Sequence, residues 1–599
     1  MAPQRNESIA DLLRSALERN PDAVAVRTLD RQLTYRELLG KAGAVAKRLD
    51  AVEVPVDEPV GLLLRRTPEL IAALLGVLLS GRTYLPLDAG HPADRIAFLL
   101  ADSGARRVLV DQDCAGSVPP GPWTLIDTDA CMANHREGEL PFRATVPGAT
   151  ALVIYTSGTT GAPKGCWITH RSLDNFVGWT VHHCPRETFE CSVAATSLCF
   201  DFSVAEILPA LTVGGSVLVL NNHVEVADLP AHVRPTQING VPSVLSDVMR
   251  DRPLPSSVQL VTLGGEAVPP SLVARLLDSG VPLVRNVYGP TETTVVATST
   301  YLTRADTDRT VSLGDPVSGV EIYLVDDAFQ QVPDGAVGEL VIGGIGVSNG
   351  YPRLPALTAS RFVADPFSGN PGRRVYRSGD HARRTEDGRL EFVGRRDHQV
   401  KIRGVRIELS EIEQVLMSHR LVSAAAVSVA GTEPAQYLLA YIWPADHGTP
   451  PTVAELSAHV GAKLPSALRP AHYALLDELP LTTNGKIDRS RLPREPQLLA
   501  DRDHRSPEVA NEEVGLLEGR LAEIWASTLK VQTVRRDDNI YALGGNSMAL
   551  IRIRKSIGAE LGMDVPMQVL LGCPTVAELA AELLDEFPAD PDMTRGKVR

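Results

Sequence analysis

The sequence predicts an α/β protein with a large N-terminal core, a small mobile α+β subdomain after it, and a small helical domain at the C-terminal end. Three observations carry this. From the start to about residue 390, short apolar runs ("VAVRTL", "PVGLLL", "RRVLVD", "ALVIYT", "SVLVL", "VQLVTLG") alternate with segments of helical spacing, as strands layered with helices do. From 394, "GRRDHQVKIRGVRIELSEIEQVLMSH" combines an alternating stretch with a helical one. After about 510 only helical spacing is found.

Taken in order, "ELIAALLGVLLS" is predicted as a buried helix, and "ALVI" before residue 155 as a strand. "CWIT" (166–169) reads as a second short strand and "RSLDNFVGW" as the helix after it. "QVKIRGVRIE" (399–408) is predicted to be a hairpin and "LSEIEQVLMSH" a helix, with Ser410 and Glu413 at capping-box spacing. Residues 494–510, polar and proline-containing, read as a linker. Beyond them Val514, Leu517, Leu521 and Ile524 mark an amphipathic helix, followed by "GGNSMALIRIRKSIGAEL" and "TVAELAAELLDEF". The expected divisions are a core at 1–396, a subdomain at 397–493, the linker, a helical module at 511–587 and a tail at 588–599.

Composition narrows the function. A chain of 599 residues exceeds one hydrophobic core. Its 73 acidic against 59 basic residues give a net charge of -14, with no long basic run, which disfavours nucleic acid as a partner. The seven cysteines form no CxxC pair and no zinc spacing, and suit reduced thiols in the cytoplasm. "MAPQRNESIADLL" lacks the pattern of a signal peptide, and no apolar run is long enough for a membrane span.

"YTSGTTGAPKG" (155–165) packs hydroxyls, glycines and Lys164 behind a strand, a composition that suits phosphate because glycines let backbone N–H groups approach an anion. A nucleoside-triphosphatase P-loop would need GxxxxGK[ST], and here Gly165 stands where its magnesium-binding hydroxyl belongs. The loop does not stand alone. "LTYREL", "YLPLDAGHP", "YTSGTTGAPKG", "FDFSVAE", "YGPTE", "GELVIGG", "YRSGD", "VKIRGVRIE" and "NGKID" occur in that order. Over its first 493 residues the chain thereby resembles the adenylate-forming enzymes, and most closely the adenylation domains of nonribosomal peptide synthetases.

The resemblance implies the roles. A carboxylate attacks the α-phosphate of ATP, pyrophosphate leaves, and a thiol then attacks the acyl-adenylate. Thr156, Ser157, Gly158, Thr159, Thr160 and Lys164 would hold the outer phosphates. Glu292, with Thr291 beside it, would bind Mg²⁺, which spreads the charge of the leaving pyrophosphate. Tyr288 would stack on adenine with Asn286 at its edge and Gly264 close by, and Asp380 and Arg395 would hold the ribose. Lys486 would bridge the substrate carboxylate and the α-phosphate, with Asp397 as the hinge that brings it in.

Asp201 matches the aspartate that pairs with an amino-acid ammonium, which a simple fatty or aryl acid lacks. The other pocket positions carried over are Phe202, Ala205, Asn239, Val261, Leu263, Val287, Val295 and Val296. No second charge stands among them, so a neutral side chain is expected. Asp201, Phe202 and Asn239 partly resemble threonine pockets, but Ala205 and Leu263 alter the shape; valine, alanine, 2-aminobutyrate and a cyclic imino acid stay open.

"DNIYALGGNSMALIR" resembles the attachment site of peptidyl carrier proteins, which are four-helix domains; Ser547 would carry 4'-phosphopantetheine, with Asn546 where His or Asp is usual. The partners implied are an amino acid, a phosphopantetheinyl transferase, a downstream synthetase or tailoring enzyme, and an MbtH-like helper protein. "HHCPRET" (182–188) begins like the HHxxxDG motif of condensation domains, but Glu187 and Thr188 break it, and no GxSxG elbow occurs. The expectation is a stand-alone didomain that loads a substrate without condensing or releasing it. The alternatives are an acyl- or aryl-CoA ligase with a fused carrier, and a catalytically dead scaffold.

Overall fold

The computed structural model describes residues 7–586 except 134–139, 141, 144, 159–161, 251, 396–398, 403, 432–435, 447, 477–479, 481–488, 494–495, 497, 500–511, 530, 537, 539, 541–542, 544–546, 564, 566–568, 571–572 and 574. Thr159, Thr160, Asp397 and Lys486 therefore lie outside the described residues, as does the side chain of Ser547. The chain divides into two units, one of residues 1–158 with 162–407 and one of 159–161 with 408–599.

The first unit is built on sheets whose strands are largely parallel, the arrangement the alternating apolar runs predict. A nine-stranded sheet runs, in order, Asp315–Pro316, Thr298–Leu302, Leu283–Tyr288, Leu260–Leu263, Gln237–Gly240, Cys191–Ala194, Ser216–Val219, Val24–Arg27 and Gln32–Thr34. Its central strands are parallel, so their C-terminal ends share one edge, where ligands bind in open α/β sheets. A six-stranded sheet includes Thr150–Thr156, which pairs antiparallel with Lys164–Thr169; the predicted phosphate loop joins these two strands. A five-stranded antiparallel sheet carries Val337–Gly344 and Arg374–Arg384. The hairpin at 399–408 forms as the alternation predicts, Gln399–Ile402 against Val405–Glu408.

The helices between them follow the sequence signals. Thr34 and Glu37 of "LTYREL" form a capping box that starts Tyr35–Ala51. Pro68–Leu79, the predicted apolar helix, is buried on every side, as an all-round apolar helix must be. His182 and His183 of "HHCPRET" end the helix His170–His183, each ring facing the carbonyl four residues back, Gly178 at 2.6 Å and Trp179 at 3.1 Å. They are helix-terminal residues there. All seven cysteines are free thiols.

In the second unit, strands Val422–Ala430, Tyr437–Pro444 and His472–Leu475 form a sheet against which Leu409–Met417 packs. The capping box expected at the start of that helix does not form. Glu408 is the N-cap, and the Glu413 carboxylate instead accepts the Val427 N–H at 2.8 Å and pairs with Arg489. A buried backbone donor on the neighbouring strand, together with a cation, holds the carboxylate more strongly than the helix's own N-terminus does. Within the expected linker, Leu498 bridges Ala474.

Three helices of the C-terminal module are described, Glu512–Leu529, Ser547–Leu561 and Val576–Glu586. Their core is Leu521, Ile524, Trp525, Leu550, Ile553, Ile557, Leu579 and Leu583. The Glu518–Arg536 ion pair, at 2.7 Å, ties the first helix to the loop that follows it. Ser547 is the first residue of its helix.

Candidate active site

A cavity opens in the first unit, lined by residues from several sequence segments, among them Asp201, Thr291, Asp380, Arg395, Lys401 and Arg406. The strand Leu283–Tyr288 delivers Asn286, Val287 and Tyr288 to its edge, and the turn after it delivers Thr291 and Glu292. Thr294 and Val295 in that turn have φ of 63° and 64°. A left-handed conformation is rare for a β-branched residue, and strain of this kind collects at functional sites. Here it turns Val295 into the cavity wall.

Among the residues expected to meet the nucleotide, the Tyr288 hydroxyl donates to Asp380 Oδ2 at 2.5 Å, and Arg395 donates to Asp380 Oδ1 at 2.5 Å and to the Ser378 carbonyl at 3.1 Å. Asp380 is thereby fixed in place, with lone pairs left over for hydroxyl donors. Asn286 is buried and donates its amide to the Ser312 carbonyl at 2.7 Å. Gly264 lines the cavity because nothing larger fits: a Cβ there would meet Val287 Cγ2 at 2.9 Å and Phe202 Cζ at 3.2 Å.

In the expected phosphate loop, Ser157 donates to the Arg406 carbonyl at 2.6 Å, and the Thr156 hydroxyl is buried with no hydrogen-bond partner among the described residues. Gly158 is buried too. Lys164 lies 3.7 Å from Glu292 and 5.1 Å from the Tyr351 ring centroid. Glu292 is wholly buried, and accepts from Tyr351 at 2.5 Å and from Arg406 at 2.8 and 3.0 Å. Burial opposes its charge, but Arg406, Lys164 and the Tyr351 hydroxyl together outweigh burial and hold the carboxyl well below the usual range. An ionised oxygen ligand of this kind fits Mg²⁺, which commonly takes one or two protein carboxylates and completes its shell with phosphates and water. Among the described residues no group of three or more His, Cys, Asp or Glu gathers as a metal site.

The wall around Asp201 is set by the helix Phe202–Val213. Asp201 occupies its N-cap position without capping it, and Oδ2 has no hydrogen-bond partner among the described residues. A structural cap would be bonded to the helix N–H groups. Burial, and to a lesser degree the nearby Glu292, raise Asp201 to about 6, opposed by Thr291 and Lys401. Phe202, Val287 and Val295 line the cavity with it. Ala205, Asn239, Val261, Leu263 and Val296 are buried but lie outside the lining. Asn239 is committed elsewhere: its Oδ1 accepts from Gln237 at 3.2 Å and its Nδ2 donates to the Ala205 carbonyl at 3.4 Å.

Three further residues belong to the site. Lys401 and Arg406 stand in "VKIRGVRIE", whose alternation reads as a hairpin and says nothing about where its cations point. Tyr351, in "NGYPR", carries no sequence signal.

A fold that sets a ribose-type Asp–Arg pair on a cavity wall, with a phosphate-type loop and a buried carboxylate tied to that wall through Arg406, is that of an adenylate-forming enzyme. The chain belongs to the AMP-binding enzyme family, whose model matches residues 13–352. Models for the AMP-binding enzyme C-terminal domain and the phosphopantetheine attachment site match 411–486 and 519–583, so a nonribosomal-peptide-synthetase adenylation domain is joined to a peptidyl carrier domain. Enzymes of this family use ATP and Mg²⁺, and the carrier domain bears 4'-phosphopantetheine on a serine.

The chain is 34% identical over 592 residues to tyrocidine synthase 3 of Brevibacillus parabrevis, a match that covers 96% of this chain and 9% of that protein. It is 36% identical to phosphinothricin tripeptide synthetase PhsC of Streptomyces viridochromogenes, covering 98% of this chain and 54% of that one. It thus spans about a tenth of the first relative and about half of the second. Among solved structures it is similar to NpsA-ThdA, an artificially fused adenylation–PCP didomain from Klebsiella oxytoca. The TM-score is 0.70 at 26% identity, covering 78% of this chain and 93% of that one. A holo adenylation–PCP protein bound to a vinylsulfonamide inhibitor matches in fold at a TM-score of 0.76 and 24% identity, covering 96% of each chain. Among the described residues no helix is long and apolar enough to cross a membrane.

Proposed function

We propose that the chain activates a neutral, aliphatic amino acid as its aminoacyl-AMP and transfers it to its own carrier domain. The observation that carries the amino-acid reading is Asp201, a buried carboxylate on the cavity wall that caps no helix and leaves one oxygen unpartnered among the described residues. Its counter-charge is the substrate ammonium, since an unpaired charge at such a depth is costly. The aliphatic reading rests on the lining of Phe202, Val287 and Val295 and on Asn239, whose amide is committed to Gln237 and Ala205. Asn239 also lies outside the cavity lining, so it is not placed to meet a threonine hydroxyl.

In the first half-reaction the substrate carboxylate attacks the α-phosphate and pyrophosphate leaves. Ser157 and Lys164 hold the outer phosphates, Tyr288, Asp380 and Arg395 hold the nucleoside, and Lys486 neutralises charge at the reacting phosphate. Glu292 would hold Mg²⁺, which when bound supplies charge stabilisation for the leaving pyrophosphate. Ser547, at a helix start, would hold phosphopantetheine, which supplies the thiol that receives the aminoacyl group. A phosphopantetheinyl transferase, an MbtH-like helper, and a downstream synthetase or tailoring enzyme are the partners this reading calls for, in the cytoplasm.

ATP–pyrophosphate exchange across a panel of amino acids and simple carboxylic acids tests the reading. Neutral aliphatic amino acids are expected to drive exchange, and Lys486→Ala to lower it about a hundredfold or more. Exchange driven by simple acids alone would replace this reading with an acyl-CoA-ligase one. Exchange that persists in Lys486→Ala would remove that lysine from the reacting centre.

A further inference from the structure

Glu292 is contacted by Arg406, Tyr351 and Lys164. Arg406 donates two hydrogen bonds into the carboxylate, at 2.8 and 3.0 Å, in a site where Glu292 is wholly buried. Both bonds come from Arg406 Nη1, and hydrogen bonds between two charged groups are stronger than neutral ones. The same residue reaches the phosphate loop, because its carbonyl accepts from Ser157 at 2.6 Å. One residue thus occupies both the carboxylate and a phosphate-loop hydroxyl that the proposed reaction assigns to the metal and the phosphates.

The hairpin that carries it is anchored at its turn. Gly404, with φ of 77°, donates to Glu266 Oε1 at 2.7 Å. A Cβ at Gly404 would meet Val241 Cγ2 at 2.5 Å, so the close approach needs glycine. The preceding strand places Lys401 over the Tyr288 ring at 5.9 Å, within electrostatic reach of Asp380 and Asp201. The hairpin therefore brings one cation toward Glu292 and another toward the Asp201 and Asp380 carboxylates.

We propose that Arg406 is the chain's own stand-in for the metal ion: it competes with Mg²⁺ for Glu292, holds that carboxylate when the nucleotide is absent, and must leave it for Mg²⁺-ATP to bind. The proposal rests on the reading of Glu292 as the metal ligand. Its physical basis is charge balance. Without metal and without Arg406 the buried carboxylate would keep Lys164 at 3.7 Å but lose its two charge-assisted hydrogen bonds, which is unfavourable. A cation delivered by the fold removes that cost, and it also weakens metal binding. If the paired arrangement holds about nine-tenths of the molecules, apparent metal affinity is about tenfold below the intrinsic value.

The test is binding of Mn²⁺ with a non-hydrolysable ATP analogue, followed by electron paramagnetic resonance on the full chain. Arg406→Gln is expected to tighten Mn²⁺ about tenfold, Arg406→Lys, which keeps the charge, less than that, and Glu292→Gln to weaken it. Thermal melts check that each variant is folded, and Arg406→Lys serves as the probe should Arg406→Gln not fold. Unchanged or weaker Mn²⁺ binding in the folded Arg406 variant, with Glu292→Gln still weakening it, would overturn the competition alone. Unchanged binding in Glu292→Gln would instead overturn the assignment of Glu292 as the ligand.

Discussion

Replacing Asp201 with alanine is expected to lower kcat/KM for the amino acid by about a hundredfold or more while leaving ATP binding within about threefold of the parent. The size follows from burial. Asp201 is 4% exposed, and an ammonium group brought beside it without the carboxylate would be desolvated and unpaired. The selectivity follows from position, because the nucleotide is assigned to Tyr288, Asp380 and Arg395, whose hydrogen bonds run to one another and to Ser378 rather than to Asp201. Equal losses for both substrates would count against ammonium pairing. A pH profile sharpens the test. Burial raises Asp201 to about 6, and only its ionised form attracts an ammonium, so kcat/KM for the amino acid should fall by about tenfold per pH unit below that value. An Asp201→Asn enzyme should lose that limb of the profile while remaining poor throughout. The charged groups that set this titration are Glu292, which opposes ionisation, and Lys401, which favours it.

Changing Ser547 to alanine should abolish covalent loading and leave adenylate formation intact. The effect is all-or-none because a methyl group offers no oxygen for phosphopantetheine. Adenylation is spared because every described residue of the cavity lies in the other unit, at or before Arg406. The substitution should be tolerated structurally, since the core of the module is built from Leu521, Trp525, Leu550, Ile553 and Leu579. Mass spectrometry of the variant after incubation with coenzyme A, a phosphopantetheinyl transferase, ATP and amino acid should show no added group. A covalent aminoacyl product on that variant would place the acceptor elsewhere.

Much of this is legible in the residues, and the limits are physical. The buried helix Pro68–Leu79, the strands flanking the phosphate loop and the hairpin at 399–408 follow from periodicity, which depends only on neighbours in the chain. Asp201 is legible as a site residue through the motif around it, and the structure adds that it caps nothing. Asn239 is legible as a polar group in an apolar wall, yet its commitment to Gln237 and Ala205 depends on how the strand Gln237–Gly240 packs on the helix Phe202–Val213, which spacing does not encode. Arg406 and Tyr351 are silent for the same reason. Each meets Glu292 across a long stretch of chain, 114 and 59 residues respectively, and only the fold brings them together. The Ser410–Glu413 capping box fails where a tertiary donor, the Val427 N–H, competes for the carboxylate.

The most direct test of the central claim is intact-protein mass spectrometry of the phosphopantetheinylated chain, incubated with ATP, Mg²⁺ and a panel of amino acids and simple acids. The account predicts a mass increment of one neutral aliphatic aminoacyl group, located by digestion on the peptide that carries Ser547. An increment from acids lacking an amine, or none from any amino acid while the chain remains folded, would contradict it.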